Sequence, residues 1–256
     1  MSAAREVVVH PDAEVLAQAT AARLLVALVD AQSHRAPLHV VLTGGTVGIR
    51  TLAAVAASPV RDAVDWTQVH LWWGDERFLP DGDADRNETQ ARDALLTALA
   101  DALPAENIHA VPALDTLVTT PEAAAEAYAA ELARFAPEGS DVPAFDVLLL
   151  GMGPDGHVAS LFPEHPALAA QGATTGVHGS PKPPPLRVSL TFDAIRAARQ
   201  VWVVAAGAEK APAVASALAS DPVETTPAAG ALGAERTLWL VDAAAAAQLP
   251  AGGPTA

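Results

Sequence analysis

Val147-Leu148-Leu149-Leu150 is apolar at every position and stops at Gly151. A strand with one face in water alternates polar and apolar residues, so an unbroken run reads as a strand covered on both sides. Other short apolar runs recur along the chain, separated by alanine-rich segments. Strands are expected at residues 6–9, from Leu38 up to the glycines at 44 and 45, at 69–73, 145–153, 187–195, 200–207 and 236–242. Asp12 can cap a first helix, in which Val15, Ala19, Ala22, Val26 and Val29 recur at three- or four-residue spacing. Further helices are expected at 87–103, after Thr120-Pro121 (a capping residue followed by proline at the first helical position), and at 209–219. Strands alternating with helices predict an α/β fold: a doubly wound, mainly parallel sheet with helices on both faces. No repeat or interdomain linker interrupts the 256 residues. Residues 178–187 form a stiff proline-rich loop, too short for a boundary. One domain is expected over 1–256, with its core at about 6–242 and a weakly ordered tail at about 250–256.

Charge and composition exclude several functions. The formal net charge is −15, which opposes binding to nucleic acid or an anionic membrane. A small anion is still compatible, because a local pocket of Arg, Lys and backbone N–H groups can hold phosphate. There is no cysteine, which removes thiol catalysis, disulfides and Cys-ligated zinc. The first residues lack the apolar core of a signal peptide, and the apolar runs are too short to span a bilayer. A soluble, cytoplasmic protein is expected.

Open parallel sheets bind ligands beyond the carboxyl ends of their strands. Three strand ends here are unusual. The first is Thr43-Gly44-Gly45-Thr46-Val47-Gly48. It reads either as a tight strand–helix turn or as a turn that lets backbone N–H groups and a helix dipole meet a phosphate or carboxylate. It has neither the lysine of a Walker loop nor the spacing of a dinucleotide fingerprint. The second is Asp75-Glu76-Arg77, between Trp72, Trp73 and Phe78. It reads as a solvated ion-pair loop or as partly buried charges with a purpose. Downstream, Asn87 and Arg92 belong to a hydrophilic lid or a plain surface loop. The third is Gly151-Met152-Gly153-Pro154-Asp155-Gly156-His157. Gly156 permits a bend, Asp155 can orient His157, and a helix is expected to begin there. A lone histidine is more often structural, but a strand–helix switch beside a carboxylate favours a functional one. No further ligands accompany it, so no metal is expected. Arg187, after the proline loop, and Lys210, just beyond a strand end, are the two cations best placed for phosphate.

Taken in order and spacing, Leu42–Gly48, Trp72–Pro80, Arg86–Arg92, 148–163, 180–191 and 207–211 resemble the 6-phosphogluconolactonase family. The resemblance covers about residues 8–240, and 151–163 is its most specific part. It implies a single domain related to the amino-sugar-phosphate isomerase/deaminase fold. It implies hydrolysis of 6-phospho-D-glucono-1,5-lactone, the second step of the oxidative pentose phosphate pathway, with no metal or organic cofactor. The partner implied is a small sugar-phosphate lactone, acted on by a monomer or weak homo-oligomer. Under this resemblance His157 is the general base. Asp75 orients His157 or binds sugar hydroxyls, and Arg77 stabilises the anionic intermediate or grips substrate. Gly44, Gly45, Thr46, Arg187 and Lys210 form the phosphate site, supported by Asp155, Gly156 and Asn87. Many members have Ser-Thr-Pro where this chain has Thr46-Val47-Gly48, a change that a phosphate cradle of backbone N–H groups can survive and that leaves the side-chain contact at Thr46 open.

Two other functions compete. Amino-sugar-6-phosphate deaminases also have Asp-Gly-His, but the ring-opening glutamate expected five residues after the histidine is Phe162 here. A non-catalytic sugar-phosphate sensor would need a DNA-binding helix pair, for which a first strand near Glu6 leaves no room, and the net charge opposes DNA binding.

Overall fold

The computed structural model describes residues 5–250. Of the tail expected at about 250–256, residues 251–256 lie outside the described residues. The chain runs β1 (Arg5–His10), α1 (Ala13–Gln32), β2 (Leu38–Leu42), α2 (Gly45–Ala57), β3 (Val69–Trp73), β4 (Asp75–Arg77), α3 (Asn87–Ala94), α4 (Pro121–Ala133), β5 (Val147–Gly151), β6 (Thr174–Val177), β7 (Arg187–Leu190), α5 (Phe192–Ala197), β8 (Gln200–Ala205), α6 (Ala211–Leu218) and β9 (Arg236–Asp242). Among the described residues no helix is long and apolar enough to cross a membrane.

Six strands form one parallel sheet in the order β1-β9-β8-β5-β2-β3. Val147 to Leu150 of β5 are all buried, as an unbroken apolar run requires. Parallel crossovers are right-handed. The steps from β1 to β2 and β2 to β3 therefore place α1 and α2 on one face, where they pack together. The steps from β5 to β8 and β8 to β9 run the other way and place α5 and α6 on the opposite face. The direction reverses between β2 and β5. Their carboxyl ends open a crevice there, bridged by the Gly151 N–H donating to Thr43 Oγ1 at 3.0 Å.

A second sheet was not foreseen. Strands β4, β7 and β6 form an antiparallel ladder, with α4 against β6 and β7. Residues 75–77, expected in a loop, are therefore a strand that leaves β3 at Gly74 and joins a different sheet. The strand expected over 187–195 ends at Leu190, because the Thr191 side chain caps α5.

Three helices also differ from expectation. Asp12 caps α1 through the N–H groups of Glu14 and Val15, but the buried face is Leu16, Thr20, Leu24, Leu25 and Leu28. Val15 and Val26 face solvent. The helix is apolar on two sides, and the larger leucines win the core, each worth about 1.5–3 kcal/mol when fully buried. Helix α3 stops at Ala94, because Leu95 leaves helical geometry at φ −140° and a short 3-10 turn follows. No helix begins after His157. Instead Val158 bridges Met152 and Leu161, and Ala159 turns at φ +49°.

Candidate active site

The crevice between β2 and β5 deepens into a cleft of about 390 Å³. It gathers residues from five stretches of chain: Thr43 to Gly48, the β4–α3 region, the segment after β5, the 182–187 loop, and the end of β8 with Lys210. At its floor Gly44 is the N-cap of α2 and offers no side-chain acceptor. The first N–H groups of α2, at Gly45 to Gly48, are therefore free of a side-chain cap and carry the positive end of the helix dipole. Such an end is suited to an anion. Gly44, Gly45 and Thr46 all line the cleft.

One wall is the turn after β5. The Gly153 N–H donates to the His157 carbonyl at 3.0 Å, and the Gly156 N–H to the Gly153 carbonyl at 3.0 Å. Gly156 makes the bend at φ +81°. This turn brings Asp155 Oδ1 to 2.6 Å from His157 Nδ1. Burial raises the Asp155 carboxyl, but the His157 hydrogen bond and the charges of His157 and Lys182 outweigh it and hold the group at about 2. An ionised Asp155 accepts from Nδ1–H, which in the neutral imidazole puts the lone pair on Nε2. Gly153 lies beneath the pair. A Cβ there would fall 2.2 Å from the imidazole and 2.4 Å from Asp155 Oδ1. Phe162 covers the ring with centroids 4.6 Å apart. His157 is thus held by a hydrogen bond in its plane and an apolar ring beside it, and its side chain is only 15% exposed.

The opposite wall is β4 with the start of α3. Asp75 is buried. Its Oδ2 accepts from Ser160 Oγ at 2.7 Å, and Asn87 Nδ2 donates to the Asp75 carbonyl at 2.8 Å. Asp155, not Asp75, is the residue that orients His157. Both Asp75 and His157 line the cleft. Glu76 points the other way and is fully buried. Its Oε1 accepts from the N–H groups of Arg77 and Asn87 at 2.7 and 2.6 Å, and Oε2 from Glu88 N–H at 2.9 Å. Burial lifts its pKa to about 7, against Arg86 and those donors. Glu76 therefore caps α3 from eleven residues upstream and fixes Asn87 over Gly44. Arg77 lines the cleft and donates through Nη1 to the Asp85 carbonyl at 2.5 Å.

The expected cations converge here. Arg187 is buried and donates to the carbonyls of Lys182, Pro183 and Pro184 at 3.0, 2.9 and 2.8 Å. Burial lowers its pKa, with Asp75 pulling the other way. Lys210, at the end of a 3-10 turn before α6, is lowered by burial and also by the like charge of Lys182. Lys182 was missed in the sequence reading, where it stands as one basic residue among four prolines. Only the folded loop carries it to the cleft. Arg92 instead pairs with Glu88 on α3. Among the described residues, no group of three or more His, Asp or Glu is arranged to hold a metal ion.

The fold and cleft define a doubly wound α/β protein. At its switch point it carries a helix end with no side-chain cap, a set of basic side chains and an Asp–His pair. The chain belongs to the family of glucosamine-6-phosphate isomerases and 6-phosphogluconolactonases, whose model matches residues 11–239. It is 58% identical to a 6-phosphogluconolactonase of Streptomyces coelicolor, over 98% of this chain and 97% of that one. It is 45% identical to the 6-phosphogluconolactonase of Mycobacterium tuberculosis, over 94% and 97%. Among solved structures, a 6-phosphogluconolactonase from Trypanosoma brucei superposes with a TM-score of 0.81 at 31% identity, over 97% of this chain and all of that one. A monomeric glucosamine-6-phosphate deaminase, 17% identical, shares the fold with a TM-score of 0.76.

Proposed function

We propose that this protein hydrolyses 6-phospho-D-glucono-1,5-lactone to 6-phospho-D-gluconate in the cytoplasm, as a single-domain enzyme acting on a small molecule. The observation that carries this reading is the Asp155–His157 pair, 2.6 Å apart, in the same cleft as an uncapped helix end and four basic side chains. The phosphate sits against the N–H groups at 45–48, with Lys210, Lys182 and Arg187 around it. Asp75 accepts hydrogen bonds from sugar hydroxyls.

The lactone is a cyclic ester. His157 Nε2 takes a proton from water as the water oxygen attacks C1, and the carbonyl electron pair moves onto its oxygen. Arg77 and nearby N–H groups stabilise this oxyanion. When the intermediate collapses, the bond from C1 to the ring oxygen breaks. The proton on His157 goes to that oxygen, leaving the 5-hydroxyl and a carboxylic acid that ionises. Asp155 keeps the imidazole in the tautomer that can accept the first proton and stabilises the imidazolium between the two transfers.

The deaminase reading is disfavoured at one position. Phe162 packs on His157, so an apolar ring stands where that chemistry needs a carboxylate. The test is a continuous assay with freshly generated lactone, scored against spontaneous hydrolysis, alongside ammonia release from glucosamine 6-phosphate. Lactone turnover without ammonia is expected. No acceleration over the spontaneous rate would overturn the reading.

A further inference from the structure

Ser160 is fully buried and has no part in the reaction as described above. Its Oγ donates to Asp75 Oδ2 at 2.7 Å, joining residues 85 apart in sequence. Its N–H donates to Ser189 Oγ at 3.2 Å, and Ser189 Oγ donates to the Leu190 carbonyl at 2.9 Å. Ser189 also faces Asp75 in the β4–β7 ladder. Ser160 thus donates twice: its hydroxyl ends on the Asp75 carboxylate, and its N–H starts a chain through Ser189 Oγ that ends on the Leu190 carbonyl.

The backbone turns sharply to make this bond. Ala159 lines the cleft at φ +49°, in the left-handed region that a residue with a side chain enters only at a cost. Strain of this kind persists where the surroundings over-determine it. The turn sends Ser160 away from the cleft surface and under Asp75, while His157, three residues earlier, stays at the opening. The other carboxylate oxygen, Oδ1, lies 3.5 Å from Asn87 Nδ2. The Asp75 carboxylate is therefore gripped on one side by the segment that carries His157 and on the other by α3.

We infer that Ser160 is a positioning residue for hydrolysis. It fixes the Asp75 carboxylate relative to His157, so that the group that reads the sugar and the base that activates water keep one separation. This rests on the proposed reaction and on Asp75 contacting substrate. A carboxylate released from Ser160 still accepts hydroxyls but rotates away from the productive pose. A misplacement of about 1 Å costs on the order of 10²-fold in rate.

The test is a double-mutant cycle with lactone as substrate. S160A is expected to lower kcat by about 10- to 100-fold with a smaller change in KM, and S160T, which keeps the hydroxyl, to recover part of that loss. In a D75A background, S160A should cost no more than about twofold further. If S160A costs the same factor with and without Asp75, Ser160 acts only on general packing and the inference fails. S160A with unchanged kcat overturns it as well. Should S160A not fold, S160C, nearly equal in volume and a weak donor, takes its place in the same cycle with the same two outcomes. Wild-type protein without turnover would instead overturn the reaction itself, which separates the two failures.

Discussion

At the scale of single residues, the cleft is set by close approaches. Gly153 shows this most sharply, because the space for its missing side chain is filled by the Asp155–His157 pair. Gly153→Ala is expected to lower kcat by on the order of 10²-fold by displacing the imidazole, while circular dichroism shows a folded protein. Removing the base itself, His157→Ala, should cost about 10²–10⁴-fold in kcat with a smaller effect on KM. Near-normal kcat in that variant would remove His157 from the role given to it. Lys182→Ala and Lys210→Ala test the anion end. Each loses a charge-assisted contact of about 1.5–3 kcal/mol, so KM for the phosphorylated lactone should rise about 10- to 100-fold, 1.4 kcal/mol being a factor of ten. Hydrolysis of an unphosphorylated lactone should be nearly unaffected. Equal losses on both substrates would mean that neither lysine meets phosphate.

At the scale of elements, β4 and α3 act as one unit held from inside by Glu76. Its carboxylate caps a helix it precedes by eleven residues and lies 3.7 Å from Arg86, which is also buried. Glu76→Ala leaves Arg86 without its counter-charge and three N–H groups without an acceptor. Loss of one partner of a buried pair costs about 3–5 kcal/mol, to be read from urea unfolding. A cost under about 1 kcal/mol would show that the cap is dispensable.

The same unit marks the limit of what the sequence discloses. Strands β2, β3, β5, β8 and β9 are legible because each carries an unbroken run of three or more apolar residues. Strands β4 and β6 are not. Asp75-Glu76-Arg77 and Thr174-Thr175-Gly176-Val177 have no apolar alternation, and they are strands only because β7 lies between them. The segment after His157 misled for the opposite reason: Val158, Leu161 and Phe162 have helical spacing but point into different parts of the core around the turn at Ala159. In the cleft, His157, Asp75, Arg77 and Lys210 could be found from their places at strand ends. Lys182 and Ser160 depend on tertiary contacts and left no local signal.

At the scale of the whole molecule, the two ends of the sheet have different electrostatics. The cleft lies at the carboxyl ends of the strands. Near the opposite end, His39 of β2 faces His70 of β3 in register, and their rings stack at 4.9 Å. His70 Nδ1 lies 2.9 Å from His109 Nε2, and His109 Nδ1 lies 2.9 Å from Glu131. Trp72 Nε1 donates to His39 Nδ1 at 3.1 Å. Burial lowers all three histidines, and neighbouring positive charge adds to it. His39 falls to about 4, while Glu131 partly restores His109. Each group is depressed below its unfolded value of about 6.5. Its contribution to stability is therefore fully present above that pH and is lost as pH falls through the folded value. Between about 6.5 and 4 the unfolded chain binds more protons, and each uncompensated histidine removes up to about 1.4 kcal/mol per pH unit. The melting temperature should fall steadily over this window, and His39→Gln should flatten the fall. A melting temperature independent of pH between 7 and 4.5 would exclude the cluster as the source of acid sensitivity.

Strand β2 is five residues long, with His39 near its start and the Thr43–Gly45 turn just past its end. One short strand thus couples the protein's acid tolerance to its ligand site while keeping them apart in space. Substitutions that extend survival at low pH can be made at the histidine end without altering a single group that faces the cleft. The pH at which the protein unfolds and the pH at which it stops working are then separately adjustable properties of the same strand.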